Sequence, residues 1–169
     1  ARRFAREGAA VVIAELSAEH GALVQQELEQ LGARALFVRT DVSSKADVRA
    51  MVDAAVTAFG RLDILVNNAI RVPTPVLLEN KSDAMLEQQL GIGVWGTWWA
   101  MQAAMPLMRA QGGGRIINFT SLDVSTGAWL HAPTHRHNSS VSAPSAVVSP
   151  GLTFSSCLAL SMSCGVPPT

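Results

Sequence analysis

Five polar side chains stand where short apolar runs of this sequence give way to polar residues. Glu15 closes Ala10–Ala14, Asp41 follows the run Ala35–Arg39, Asn67 and Asn68 follow Leu62–Val66, and Ser121 follows Arg115–Phe119. Short apolar runs with β-branched members are what a strand buried on both faces requires. In an open α/β sheet, the carboxyl ends of such strands form the edge where a ligand sits, so Asn67 and Asn68 fall at an expected binding edge. Each also has an ordinary structural use, because acids are common at helix starts, aspartates cap turns and serines often end strands. Ser121 lacks the Gly-x-Ser-x-Gly elbow of a serine hydrolase. The only thiols, Cys157 and Cys164, match no paired zinc-ligand spacing and read as free. His131, His135 and His137 have no acidic or thiol ligand nearby, so no metal site is expected.

The segments between these runs are helical. Ala1 to Glu7 reads as the end of a helix stopped at Gly8, and Ser17 caps a second in which Val24, Leu28 and Leu31 recur on one face before Gly32. Ser43 or Ser44 caps a third, with Val48, Met51, Val52, Ala55, Val56 and Phe59 as its apolar stripe and Gly60 as its stop. A loop holding Pro73 and Pro75 leads to a long helical region from about Ser82 to Gln111, interrupted by Gly91, Gly93 and Gly96. Its Trp95, Trp98, Trp99, Met101 and Met105 suit a core-facing or subunit-facing helix, which makes the surface around Trp95 to Met105 the expected route to a homo-oligomer. Strands alternating with helices predict an α/β fold with a doubly wound parallel sheet.

Composition narrows the function classes. The 169 residues suit a single core, and 13 basic against 13 acidic residues provide no net field for nucleic acid or an anionic membrane surface. No apolar run is long enough to span a bilayer and the N-terminal residues do not read as a secretion signal, so a cytoplasmic protein is expected.

With its elements placed, the chain resembles the short-chain dehydrogenase/reductase family over residues 1 to about 132. The resemblance rests on Glu15, on Asp41-Val42, on Leu62-Asp-Ile-Leu-Val-Asn-Asn-Ala69, and on Gly114-Arg-Ile-Ile-Asn-Phe-Thr-Ser121, in that order. It implies a Rossmann-type sheet and hydride transfer between a nicotinamide cofactor and a small alcohol or ketone. It assigns Glu15 to the adenosine ribose hydroxyls, which favours NAD over NADP because a carboxylate repels a 2′-phosphate. It assigns Asp41 and Val42 to the adenine pocket, Asn67 and Ala69 to the cofactor's side, and Ser121 to catalysis as the holder of the substrate oxygen. Asp63 and Asn68 are expected to be structural, and Ile70 stands where relatives have glycine.

The same resemblance shows what is altered. The family's proton-moving tyrosine and the lysine four residues later should fall near Thr134 and Asn138, yet the chain contains no tyrosine and its lysines are Lys45 and Lys81. Gly93 replaces the family's helix asparagine. These changes imply an impaired or inactive enzyme; a non-catalytic domain that pairs with itself or a homologue, and a gene remnant, are the alternatives. The first strand and glycine-rich turn are not represented, which predicts an incomplete sheet with a gap between the strands ending at Glu15 and Asn67. Residues 133–169, which become uncharged and serine-rich after Arg136, are expected to form a poorly ordered tail beyond the partial nucleotide-binding domain of residues 1–132.

Overall fold

The computed structural model describes residues 1–71 and 78–119 and the backbone of 158–162. The order is α1 (Arg2–Arg6), β1 (Ala10–Glu15), α2 (Ala18–Gln30), β2 (Ala35–Arg39), α3 (Lys45–Phe59), β3 (Ile64–Asn67), a 3-10 turn (Leu78–Asn80), α4 (Asp83–Leu90), a π-helical turn (Gly91–Gly96), α5 (Thr97–Ala110), β4 (Arg115–Asn118) and β5 (Leu158–Met162). The glycine stops act as expected. Gly60 takes a left-handed conformation at φ 80° and returns its N–H to the Val56 carbonyl at 2.7 Å, ending α3 so that the chain can turn into β3.

The sheet runs β2-β1-β5-β3-β4. β1 pairs parallel with β2, and β3 pairs parallel with β4, bringing Asn67 opposite Asn118. The gap expected between β1 and β3 does not close by collapse of the two pairs on each other. β5 fills it, running antiparallel to both neighbours. The physical reason is that two buried apolar edges leave backbone groups that must be paired, and a strand inserted between them pairs both at once. Within the span expected to be a poorly ordered tail, residues 158–162 thus form a strand, and the remainder lies outside the described residues.

Two apolar layers cover the sheet. On one face, Ala10, Val12 and Ala14 of β1 and Leu65 of β3 pack with Val48, Met51, Val52 and Ala55 of α3 and Ala100, Ala104 and Met108 of α5. Val11 and Ile13, pointing the other way, pack with Ala5 of α1 and Leu28 of α2. Full burial of Leu65 or Met51 contributes about 1.5–3 kcal/mol each. Leu31 is a correction to the expected α2 stripe: it is the C-cap residue and 44% exposed, because the helix has already ended there.

Two long-range contacts set the spacing of these layers. An ideal Cβ on Gly21 would lie 2.1 Å from the Phe37 ring, so only glycine lets α2 approach β2 this closely. Gln111 clamps the entry to β3: its Oε1 accepts from Leu62 N–H at 3.1 Å and its Nε2 donates to the Leu62 carbonyl at 2.5 Å. The side chain thereby pairs both polar groups of a fully buried residue.

Candidate functional site

The candidate site is the carboxyl edge of β1, β2 and β3. Glu15, at the tip of β1, is a buried carboxylate. Its Oε1 accepts the Ser17 backbone N–H at 3.0 Å, while the Ser17 hydroxyl accepts from His20 N–H at 3.3 Å and caps α2. The carboxylate therefore sits at a helix N-terminus, where the unpaired amides favour negative charge.

After β2, two serines and two aspartates fold the loop that carries Val42. Asp41 Oδ1 accepts from Ser43 N–H at 2.9 Å and from the Ser43 hydroxyl at 2.6 Å. The Asp41 N–H donates to Asp47 Oδ2 at 3.1 Å, and the Ser44 hydroxyl donates to Asp47 Oδ1 at 2.9 Å. Ser44 in turn accepts the Asp47 N–H at 3.3 Å and so caps the start of α3. These donors, the Asp41 N–H first and the Ser44 hydroxyl second, hold the Asp47 carboxyl below its ordinary range; the Arg39 charge assists them and desolvation opposes them. The turn use of Asp41 is thus realised, and its carboxylate stands at the edge with one oxygen already engaged.

Val42, Asn67 and Ala69 come together. With Ile92, Gly96 and Thr97 they line a small cavity with room for about one water molecule. Gly96 makes this possible, since a Cβ there would lie 2.7 Å from the Val42 carbonyl oxygen. The π-helical turn ends at this contact, and such turns recur at functional sites because they re-aim the helix locally. Asn67 is buried; its Nδ2 donates to Asn118 Oδ1 at 2.8 Å, while its own Oδ1 is buried with no hydrogen-bond partner among the described residues. An unmet buried acceptor costs about 1–3 kcal/mol, so a ligand donor reaching it would recover that loss. This orphaned oxygen and the close backbone approach at Gly96 are features that a nucleotide-binding edge has use for.

Glu15 and Asp41 stand on neighbouring strand ends but do not line the cavity. Glu15 is in register with Arg39, an exposed cation that strand assignment alone did not place beside it. Asp63 is structural as expected, forked by Arg61 at 2.6–3.0 Å. Ser121, the three histidines and both cysteines lie outside the described residues, as does the loop with Pro73 and Pro75. Asn118 and Gly96 join the site beyond the sequence expectation: Asn118 lies within the Gly114–Ser121 signature, but only the β3–β4 register shows that it meets Asn67. Among the described residues there is no group of three His, Cys, Asp or Glu side chains able to hold a metal, and no helix is long and apolar enough to cross a membrane.

A mainly parallel sheet with helices on its faces, a carboxylate at the tip of β1 and a small cavity at its carboxyl edge define a Rossmann-type fold. The family model described as short chain dehydrogenase matches residues 1–130, and the chain belongs to that family. It is 38% identical over 125 residues to the 4-formylbenzenesulfonate dehydrogenase of Comamonas testosteroni, covering 72% of this chain and 48% of that protein. Among solved structures it is similar to a 7α-hydroxysteroid dehydrogenase complexed with NADH and 7-oxo glycochenodeoxycholic acid. That likeness has a TM-score of 0.69 at 32% identity, over 74% of this chain and 48% of the other. The L-sorbose reductase of Gluconobacter frateurii, complexed with NADPH and L-sorbose, gives 0.71 at 30% identity, over 76% and 49%. The chain spans about half the length of these relatives.

Proposed function

We propose that this chain carries the adenosine half of a nicotinamide-dinucleotide site and descends from an oxidoreductase that moved hydride between the cofactor and a small alcohol or ketone. The observation that carries the reading is the buried Oδ1 of Asn67, unpartnered among the described residues, on a residue that lines the small cavity with Val42 and Ala69. Glu15 would meet the ribose hydroxyls and Asp41 the adenine amine, Ser121 would hold a substrate oxygen, and the cofactor, when bound, supplies the hydride. NAD is the proposed partner on the strength of the Glu15 carboxylate; Arg39 beside it is the group that would oppose this preference. Proton transfer is impaired, because the chain has no tyrosine and neither lysine lies near position 138. Titration with NADH, followed by tryptophan fluorescence, tests the half-site: saturable quenching reversed by excess NAD supports it, and an unchanged signal sinks it. Turnover of an alcohol that disappears in Ser121→Ala would overturn the impairment.

A second reading, a non-catalytic partner domain, is favoured by the exposed apolar residues of α4, the π-helical turn and α5. Leu86, Leu90, Val94, Trp95, Trp98 and Met105 there are each 41–56% exposed. Contiguous apolar exposure of this kind marks an association surface.

A further inference from the structure

Three side chains on one face of the sheet are joined end to end. Leu65 and Ile116 pack in the layer under α3 and α5, and Asn67 and Asn118, two residues further along β3 and β4, point the same way. Asn67 Nδ2 donates to Asn118 Oδ1 at 2.8 Å, and Asn118 Nδ2 in turn donates to Met101 Sδ at 3.9 Å. Met101 packs against the same layer from α5. It stands one turn after Thr97, which lines the cavity together with Asn67.

The bond between the two amides would survive a reversal. If both side chains turned over, Asn118 Nδ2 would donate to Asn67 Oδ1, and one hydrogen bond would still join them. What changes is the group that each asparagine shows on its far side. Asn67 would show an N–H in place of the buried oxygen that now has no partner among the described residues. Asn118 would turn its oxygen toward Met101. A thioether sulfur accepts weakly and has no proton to give, so it holds an N–H and repels an oxygen. Asn118 is exposed, but water both donates and accepts and therefore meets either sense equally well. Within the pair the two senses are equivalent, and the sulfur breaks the tie.

We propose that Met101 is a positioning residue: acting through Asn118, it fixes which end of the Asn67 amide is left free, so that Asn67 meets a hydrogen-bond donor. The class of ligand group follows, and this step rests on the nucleotide reading: Asn67 takes an amine or hydroxyl hydrogen, such as an adenosine carries. An ionised phosphate oxygen, which can only accept, is refused there.

The test compares the full chain, Met101→Leu and Met101→Glu, isotope-labelled and without ligand, by hydrogen exchange of the Asn118 side-chain amide. Leucine keeps the volume and removes the acceptor. The Asn118 amide then turns toward Asn67, and the slower of its two protons is expected to exchange about threefold more slowly, the weight of one weak hydrogen bond. Glutamate restores an acceptor without a proton, and exchange is expected to return to that of the unaltered chain. A packing role predicts the opposite order, since glutamate disturbs the layer more than leucine does. Equal exchange in the unaltered and leucine chains, or slower exchange with glutamate than with leucine, overturns the proposal. Adenosine, titrated by tryptophan fluorescence, is expected to bind the leucine chain about threefold more weakly than the other two. If the exchange order holds and adenosine binds none of the three, the nucleotide reading fails while the direction of the amide pair stands.

Discussion

Asn67 donates its amide to Asn118 Oδ1 at 2.8 Å across the last rung of the β3–β4 ladder, and its own buried Oδ1 is left without a partner among the described residues. Under the proposed nucleotide reading, fold and ligand place opposite demands on this one side chain. Asn67→Leu removes the unpaired acceptor while Asn118, which is exposed, can turn to water. The urea midpoint of this variant is expected to hold or rise, by up to about 1–3 kcal/mol of unfolding free energy, since the unmet group is gone. NADH quenching is expected to weaken at least tenfold. A variant that loses stability and keeps its affinity would mean that Asn67 serves the ladder only.

Glu15 and Arg39 share a rung at the carboxyl edge, where the proposed function puts the adenosine ribose. Glu15→Gln removes the repulsion toward a 2′-phosphate and leaves the cation in place. The ratio of NADPH to NADH affinity, read by fluorescence titration, is expected to rise about tenfold, equivalent to about 1.4 kcal/mol. An unchanged ratio would confine Glu15 to the start of α2, where it accepts the Ser17 N–H.

Gly93 and Gly96 lie in the same π-helical turn and should respond in opposite senses. A Cβ on Gly93 meets nothing within 4 Å, so Gly93→Ala is expected to raise stability by up to about 1 kcal/mol. At Gly96 the added carbon would sit 2.7 Å from the Val42 carbonyl oxygen, which is backbone and cannot swing aside. Gly96→Ala is expected to cost about 1–3 kcal/mol and to weaken nucleotide binding by displacing α5 from Val42. Thermal melts of the pair measure this, and equal shifts would refute the close contact.

Asp47 makes the Asp41–Val42 loop sensitive to acid. Its folded carboxyl titrates below the ordinary 3.8, so its contribution to stability is full above that pH and is lost as pH falls through the folded value. Asp47→Asn should flatten this part of the acid limb of a stability profile, below about pH 4. Ser44→Ala, which removes one donor to Asp47 and the cap of α3, should lower stability by about 1 kcal/mol at neutral pH.

The exposed tryptophans give the association reading its test. Trp98→Glu with Met105→Glu alters two half-exposed residues of α5, so the fold is expected to survive. Sedimentation of the unaltered chain should show a concentration-dependent dimer that this variant loses. A monomer at every concentration would remove the second reading.

The sequence by itself determined the order of strands and helices over residues 1–119, the glycine stops, the capping serines and the ancestry. Those features are local: periodicity, caps and positive-φ glycines each act over a few residues, and the family's motifs sit at fixed places among them. What joins distant stretches was decided by the tertiary structure alone. Gln111 grips Leu62 across 49 residues, Gly21 must stay small because Phe37 packs on it, and Asn67 loses its free amide to Asn118 across 51. The position of β5 is the furthest case. Leu-Ala-Leu-Ser-Met carries no cap, charge or alternation that names a neighbour, and its place follows from two parallel edges whose buried backbone groups require a strand between them.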